Sequence, residues 1–298
     1  MQYQKLGNST LNVSIISLGC MSLGTDQANN ERIIHTAIDH GINFFDTADL
    51  YDKGINEENV GKALKEKRKE IYLASKVGNE WRTDGSGWDW NPNPDYIKKS
   101  IHNSLKRLGT DYLDLYQLHG GTLDDPIDDT IGAFEDLKQA GLIRAYGISS
   151  IRPNVIRVWT KKSHMSSVMT QYSLLDRRPE EFSLDHLQAE GVSVLVRGAV
   201  AKGLLINKES KPYLGYTAEE VREGKEAIYN LSGPQRSSAQ VAIQYSLGHS
   251  AVGSIVAGAS SVAQIIENAG AAGIPSLSME ERIRLQTSIR PIRYEKHR

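Results

Sequence analysis

Residues 112–148 read YLDLYQLHGGTLDDPIDDTIGAFEDLKQAGLIRAYGI, and this stretch decides the fold class. Its two short apolar runs, Tyr112–Leu118 and Ile143–Ile148, have the length and composition of buried strands. Between them, Asp129–Ala140 repeats apolar residues at helical spacing, and Gly141 follows it directly. A strand, a helix and a second strand in that order predict a parallel βαβ unit.

The same alternation continues in both directions along the chain. Further strand-like runs are Val13–Leu18, Ile42–Phe45, Ile71–Ala74, Ser167–Thr170, Val192–Val196 and Ser254–Val256. Further helical segments are Glu31–His40, Glu57–Glu70, Pro94–Leu108, Thr217–Asn230, Ser238–Leu247 and Ser278–Ile289. About eight βα units favour a closed (β/α)8 barrel. An open dinucleotide-binding sheet would carry G-x-G-x-x-G after its first strand, and Leu18–Gly24 does not match that pattern. We therefore predict an α/β protein, with residues 1–298 forming one barrel domain.

Composition argues against several classes of function. The chain has 35 Lys+Arg and 36 Asp+Glu, and its formal net charge of -1 argues against general binding to nucleic acid or an anionic membrane. Cys20 is the one cysteine, which excludes a disulfide framework. The histidines do not cluster at metal-ligand spacing, so we predict no metal site. The polar start, Met1–Leu11, lacks the pattern of a signal peptide, so we predict a cytoplasmic protein.

Two stretches, Asn79–Asn93 and Asn207–Arg236, do not follow the βα period, and we interpret both as loop insertions, the second containing the Thr217–Asn230 helix. The first contains Trp81, Trp88 and Trp90. These side chains either form one wall of a substrate pocket or pin a long loop to the barrel, and the sequence leaves both alternatives open.

Polar side chains follow the apolar runs at the end where barrel enzymes carry their chemistry. The residues at these strand ends are Asp46, Lys76, His119, Ser149 with Ser150, and Gln171. Tyr51 lies five residues beyond Asp46 and adds a phenol to the same rim. A lysine ammonium stabilises phenolate, and a carboxylate can hold that ammonium in place. These side chains are therefore the components of a tyrosine general acid.

At this point the chain resembles a known family. The similar segments are Asp46–Gly61, Ser75-Lys76, Leu118-His119, Gly147-Ile148-Ser149, Gln171-Tyr172-Ser173 and Gly258–Asn268. They identify the chain as a bacterial-type member of the aldo-keto reductase family, and the likeness extends from Leu6 to beyond Asn268. The resemblance also implies that Tyr3–Val13 is a β-hairpin that closes the bottom of the barrel.

The resemblance implies a reduction of aldehydes and ketones to alcohols that depends on NADP(H). Tyr51 would donate a proton to the carbonyl oxygen as hydride leaves the nicotinamide. Lys76 would make Tyr51 a stronger acid, Asp46 would pair with Lys76, and His119 would orient the substrate carbonyl. The expected partner is a small-molecule carbonyl substrate, while the oligomeric state stays open.

The resemblance also assigns residues to the cofactor. Ser149 and Gln171 match positions that hold the nicotinamide carboxamide, and a helix N-terminus after Gly258 would hold phosphate. The other residues assigned to the cofactor are Gly19, Met21, Asp46, Arg197, Gly198, Ala199, Gly203, Leu204, Ser260, Ser261, Gln264, Glu267 and Asn268.

Three positions depart from the family pattern. Ser150 stands where relatives have asparagine, and Arg197 stands where many have an aromatic ring stacked on the nicotinamide. The segment Val256–Asn268 contains no Lys or Arg, although relatives that prefer NADPH usually hold its 2′-phosphate with basic residues there. We predict NADP(H), with NAD(H) as the alternative.

Two other functions stay open at this stage. Barrels of this family also serve as non-enzymatic accessory subunits of a membrane channel, where they sense the nicotinamide nucleotide. Such a subunit can retain all four residues of the predicted catalytic set. A strand-end lysine such as Lys76 can also form a Schiff base in other barrel enzymes, which would make the protein a lyase.

Overall fold

Eight parallel strands close into a barrel in this computed structural model, which describes residues 1–298. The barrel strands are β3 (Ile16–Gly19), β4 (Phe44–Asp46), β5 (Tyr72–Val77), β8 (Leu113–Leu118), β9 (Ile143–Ser149), β10 (Ser167–Gln171), β11 (Ser193–Arg197) and β12 (Val252–Gly258). They pair in that order around the barrel, and β12 pairs with β3 to close it. The predicted α/β barrel is therefore confirmed.

Helices lie outside the barrel and connect its strands. They are α1 (Gln27–Asp39), α2 (Ile55–Leu64), α3 (Pro94–Leu108), α4 (Ile127–Gln139), α5 (Pro153–Lys162), α6 (Ser183–Ala189), α7 (Ala218–Asn230), α8 (Ser238–Leu247), α9 (Val262–Gly270) and α10 (Met279–Thr287). Predicted and observed boundaries agree for α3, where Asn93 caps the first turn and Pro94 occupies a position that needs no N–H donor. The helix predicted over Glu57–Glu70 ends early, at Leu64, and a short 3-10 turn follows it. None of these helices is both long and apolar enough to cross a bilayer.

An N-terminal hairpin closes the bottom of the barrel, as predicted. Strands β1 (Tyr3–Lys5) and β2 (Asn12–Ser14) pair antiparallel. Leu6, Leu11 and Val13 of the hairpin join a cluster of ten buried residues to which the barrel strands contribute the remaining side chains. The run predicted as one strand over Val13–Leu18 is therefore two strands, β2 and β3.

The segment Asn79–Asn93, which we interpreted as a loop insertion, contains a second hairpin. Strands β6 (Asn79–Trp81) and β7 (Trp88–Trp90) pair antiparallel, with Trp81 opposite Trp88. Tryptophan favours strands, and Asp84-Gly85 lies in the connection between them. The other insertion contains α7, as predicted, and Thr217 caps that helix with a reciprocal capping box.

Candidate active site

Lys76 is the centre of a buried polar group at the carboxyl end of the barrel. Its ammonium donates three hydrogen bonds: to Asp46 Oδ2 at 2.6 Å, to the Thr47 carbonyl at 2.8 Å and to the Tyr51 hydroxyl oxygen at 3.2 Å. Lys76 is 0% exposed. A protonated lysine has three donors, so this side chain is fully satisfied only as the ammonium form.

Neighbouring strands bring these groups together. Asp46 ends β4, and Lys76 is the penultimate residue of β5, which pairs with β4 in parallel. Tyr51 begins a short 3-10 turn in which Asp52 and Lys53 both have positive φ, at 49° and 55°. Non-glycine residues adopt this left-handed conformation at a cost in free energy, so the surrounding contacts hold the turn in place.

Gln117 is a member of this group that the sequence analysis did not identify. Its Nε2 donates to Asp46 Oδ1 at 3.2 Å, and its side chain is fully buried in β8. Burial raises the pKa of Asp46, while the Lys76 ammonium and the Gln117 amide act in the opposite direction. Burial would lower the pKa of Lys76, but the Asp46 carboxylate and the Tyr51 oxygen outweigh it and raise that pKa.

His119 follows β8 and lies beside Tyr51. The two rings meet edge to face, with their centroids 6.0 Å apart. Burial, followed by the positive charges of Lys76 and Arg197, lowers the pKa of His119 to about 3. The imidazole is therefore neutral near pH 7, and its Nδ1 is buried without a hydrogen-bond partner.

A second polar group, the Glu57 cluster, lies next to the Tyr51 turn and Lys76. It consists of Glu57, Ser75 and Arg107. Arg107 Nε lies 2.7 Å from Glu57 Oε2, and the Ser75 hydroxyl donates to Glu57 Oε1 at 2.5 Å. A Cβ on Gly54, in the turn after Tyr51, would lie 2.7 Å from Arg107 Cδ. The cluster thus ties the Tyr51 turn to α3 and to the residue before Lys76.

A cavity of about 540 Å³ opens beside Tyr51. Its lining residues are Met21, Leu50, Tyr51, Asp52, Lys53, Trp81 and Trp88. Trp90 plays a different part, because its ring packs against Gly78 and Gly120 and its Nε1 donates to Asp125. The tryptophans therefore divide into two sets: Trp81 and Trp88 line the cavity, and Trp90 pins the hairpin to the barrel.

Gln171 and Arg197 meet at the ends of β10 and β11. Arg197 Nη1 donates to Gln171 Oε1 at 2.9 Å, and Gln171 Nε2 donates to the Tyr213 hydroxyl oxygen at 3.0 Å. Gly198 and the buried Ala199 follow β11 directly, while Gly203 and Leu204 lie further along the same connection. Tyr213 lies in the insertion whose conformation the sequence could not predict. Ser149 ends β9 without a side-chain hydrogen bond to this group.

The remaining residues assigned to the cofactor surround β12. Gly258, the last residue of β12, pairs with Gly19 of β3, and Asn268 Nδ2 donates to the Gly258 carbonyl at 3.2 Å. Ser260 N donates to Gln264 Oε1 at 2.8 Å, at the start of α9. The Glu267 carbonyl accepts a bond from Gln240 of α8. These residues therefore lie together at one position on the rim, where β12 meets β3, and β3 in turn pairs with the Asp46 strand β4.

Fold and site together define a (β/α)8-barrel enzyme with a tyrosine, a lysine, an aspartate and a histidine at the carboxyl end of its strands. The Aldo/keto reductase family model matches residues 15–289. The chain belongs to this family, and it is an oxidoreductase.

Individual relatives agree with this assignment. YqkF of Bacillus subtilis, named an uncharacterized oxidoreductase, is 48% identical over a 307-residue alignment that covers 100% of both chains. The holo form of aldo-keto reductase AKR11C1 from Bacillus halodurans is 50% identical, with a TM-score of 0.94 over 100% of this chain and 99% of that one. Aldo-keto reductase yakc of Schizosaccharomyces pombe, whose name specifies NADP(+), is 34% identical over 70% of this chain and 64% of that protein.

Proposed function

We propose that this protein reduces aldehydes and ketones to alcohols by hydride transfer from NADP(H), with Tyr51 as the general acid. The observation that carries the proposal is the 3.2 Å hydrogen bond from Lys76 Nζ to the Tyr51 oxygen. Because that oxygen accepts from Lys76, the Tyr51 O–H is free to donate to a substrate in the adjoining cavity. Residues 1–298 would act as one catalytic domain.

A bound nicotinamide dinucleotide would supply the hydride. Tyr51 gives its proton to the substrate oxygen as the carbonyl carbon receives hydride and the C=O π electrons move to that oxygen. The phenolate left on Tyr51 is stabilised by the Lys76 ammonium, which Asp46 holds in place. Neutral His119 orients the carbonyl by a hydrogen bond and adds no charge to the site.

The residues on the adjoining rim fit a nicotinamide dinucleotide. The Gln171 amide and the Ser149 hydroxyl offer the donors and acceptors that a carboxamide needs. A Cβ on Gly258 would lie 2.3 Å from Ser22 Oγ, so glycine at this position lets the end of β12 pack closely against Ser22. The start of α9 supplies backbone N–H groups suited to phosphate, and Ser261 caps it.

A cation from another helix supports NADP(H) over NAD(H). Although Val256–Asn268 contains no basic residue, Asn29 of α1 donates to the Ser260 carbonyl at 3.5 Å. Arg32 donates to the Asn29 side chain at 3.3 Å. A guanidinium therefore lies beside the segment proposed for the adenosine end, where a 2′-phosphate would attract it.

The three hydrogen bonds of Lys76 argue against a Schiff-base lyase. A lysine must lose a proton before it attacks a carbonyl, and the adjacent Asp46 and Tyr51 oxygens raise the pKa of Lys76. The alternative of a cofactor-sensing subunit differs from a reductase in turnover, which the following experiment measures.

The test follows NADPH absorbance with a reactive small aldehyde and compares the wild type with Tyr51→Phe. We expect turnover by the wild type and a loss of at least about 10²-fold in the variant, the lower range for general acid catalysis. Equal rates in both proteins would exclude Tyr51 as the acid. Cofactor binding by the wild type without turnover would instead favour the sensing subunit.

A further inference from the structure

The side-chain amide of Gln171 is held from two sides. Arg197, its register neighbour on β11, donates from Nη1 to Gln171 Oε1 at 2.9 Å. On the other side, Gln171 Nε2 donates to the Tyr213 hydroxyl oxygen at 3.0 Å. One contact comes from a neighbouring strand, and the other comes from the part of the Asn207–Arg236 insertion that precedes α7. The amide therefore has two independent restraints on its orientation.

Charge determines which way this amide faces. A guanidinium has five N–H donors and no acceptor, so the amide oxygen must face Arg197. In a flipped amide, the NH2 group would face these donors and find no acceptor. Once Oε1 faces Arg197, Nε2 faces Tyr213, whose hydroxyl oxygen accepts the bond. Tyr213 alone could not select this orientation, because a hydroxyl group both donates and accepts. The two residues act together, Arg197 choosing the orientation and Tyr213 stabilising it.

The orientation leaves one acceptor and one donor unused. An amide oxygen has two lone pairs and an amide nitrogen has two hydrogens, and Arg197 and Tyr213 each use one. The remaining lone pair and the remaining N–H complement the N–H and the oxygen of another primary carboxamide.

Backbone hydrogen bonds hold Tyr213 in the position from which its hydroxyl contacts Gln171. Its backbone exchanges two hydrogen bonds with Tyr216, at 3.1 and 2.9 Å. Burial, followed by the charge of Asp176, raises the pKa of Tyr213, so the phenol stays neutral at physiological pH. The hydroxyl oxygen therefore remains an ordinary acceptor for the Gln171 amide.

We propose that Tyr213 is a positioning residue which, with Arg197, fixes the Gln171 amide in the orientation that binds the carboxamide of a nicotinamide dinucleotide. This inference rests on the proposed function, in which Gln171 lies at the nicotinamide end. It also gives Arg197 a role that does not require its guanidinium to stack on the nicotinamide ring.

Two ligands separate the nicotinamide end from the rest of the cofactor. NADP+ contains the carboxamide, whereas 2′,5′-ADP contains only the adenosine half with its 2′-phosphate. Dissociation constants for both are measured by quenching of tryptophan fluorescence, without any turnover. We expect Tyr213→Phe to raise the dissociation constant of NADP+ by about 2- to 10-fold, the value of one neutral hydrogen bond. The constant for 2′,5′-ADP should not change.

A matched control comes from the same insertion. Tyr216 donates its hydroxyl to the Arg290 carbonyl at 2.8 Å and makes no side-chain bond to Gln171. Tyr216→Phe removes one hydrogen bond in the same way, and we expect it to leave the affinity for NADP+ unchanged. In a Gln171→Ala background, Tyr213→Phe should have no further effect, because the amide that it positions is absent.

Several outcomes would overturn the inference. The first is a Tyr213→Phe variant that binds NADP+ as tightly as the wild type. The second is a variant that loses equal affinity for NADP+ and for 2′,5′-ADP. The third is a loss of NADP+ affinity in Tyr213→Phe that adds in full to the loss in Gln171→Ala. A merely structural role for Tyr213 predicts the second and third of these. A wild-type protein that binds neither NADP+ nor NADPH would instead contradict the proposed function, so failure of the two proposals can be distinguished.

Discussion

Replacing Arg107 by methionine should destabilise the protein strongly, although Arg107 itself is partly exposed. The reason is its partner in the Glu57 cluster, since Glu57 is 0% exposed and Arg107 is the cation that contacts it. Arg107→Met leaves that carboxylate buried with only the Ser75 hydroxyl as a donor. Removing one member of a buried ion pair costs about 3–5 kcal/mol.

Thermal unfolding converts this cost into a measurable shift. With an unfolding entropy of about 2.1 cal/mol/K per residue, a chain of this length loses roughly 1.6 °C of melting temperature per kcal/mol. Arg107→Met should therefore lower the melting temperature by about 5–8 °C, monitored by circular dichroism. The double variant Glu57→Gln/Arg107→Met should recover part of the loss, because a buried neutral amide costs less than an unpaired carboxylate.

Lys98 provides the control, because it lies on the same helix and pairs with Asp136 at the surface, where their side chains are 44% and 60% exposed. Lys98→Met should cost less than about 1 kcal/mol. If Arg107→Met lowers the melting temperature no more than Lys98→Met, the buried Glu57 carboxylate does not depend on its cation. If the double variant is no more stable than Arg107→Met, the unpaired charge of Glu57 is not the source of the loss.

Two further predictions concern pH and the tryptophan hairpin. Burial, then the charge of Glu57, raises the pKa of Asp49 from its ordinary 3.8 to about 8. The folded protein thus binds one more proton than the unfolded chain between these values, so Asp49 makes stability fall as pH rises across this range. Asp49→Asn should reduce the difference between urea midpoints measured at about pH 5 and about pH 8; an unchanged difference contradicts the assignment. Trp88 is 47% exposed and lines the cavity. Trp88→Ala should therefore raise KM for bulky aldehydes without a change in melting temperature. Trp90→Ala should instead lower the melting temperature, because this ring packs against Gly78 and Gly120, and similar melting temperatures for the two variants would contradict this division.

The residues that end the barrel strands could be predicted because their positions follow from a regular pattern. Asp46, Lys76 and His119 each come at the end of an apolar run, and parallel strands bring their carboxyl ends to one rim. Gln117 carried a signal of the same kind, since it is a polar residue near the end of the apolar run Tyr112–Leu118. It could have been found by asking which strand residues face the barrel interior.

Contacts between segments far apart in sequence could not be predicted. The Glu57 cluster joins residues from α2, β5 and α3, and Arg107 and Glu57 are 50 positions apart with no periodic relation. Tyr213 reaches Gln171 across 42 positions from a segment whose pattern does not define its conformation. The hairpin within Asn79–Asn93 was missed for a different reason, because its three-residue strands are too short to show alternation.

The N-terminal hairpin also constrains when the barrel can form during synthesis. Gln4 Nε2 donates to the Val252 carbonyl at 2.8 Å, across 248 positions of sequence, and the backbone N–H of Gly7 donates to Ser193 Oγ at 2.7 Å. The apolar side chains of Leu6 and Leu11 therefore lack their final partners until β12 has left the ribosome. At roughly 5–20 residues per second, that interval lasts on the order of 10–50 seconds. During it, the nascent chain exposes apolar hairpin surface to which a chaperone can bind.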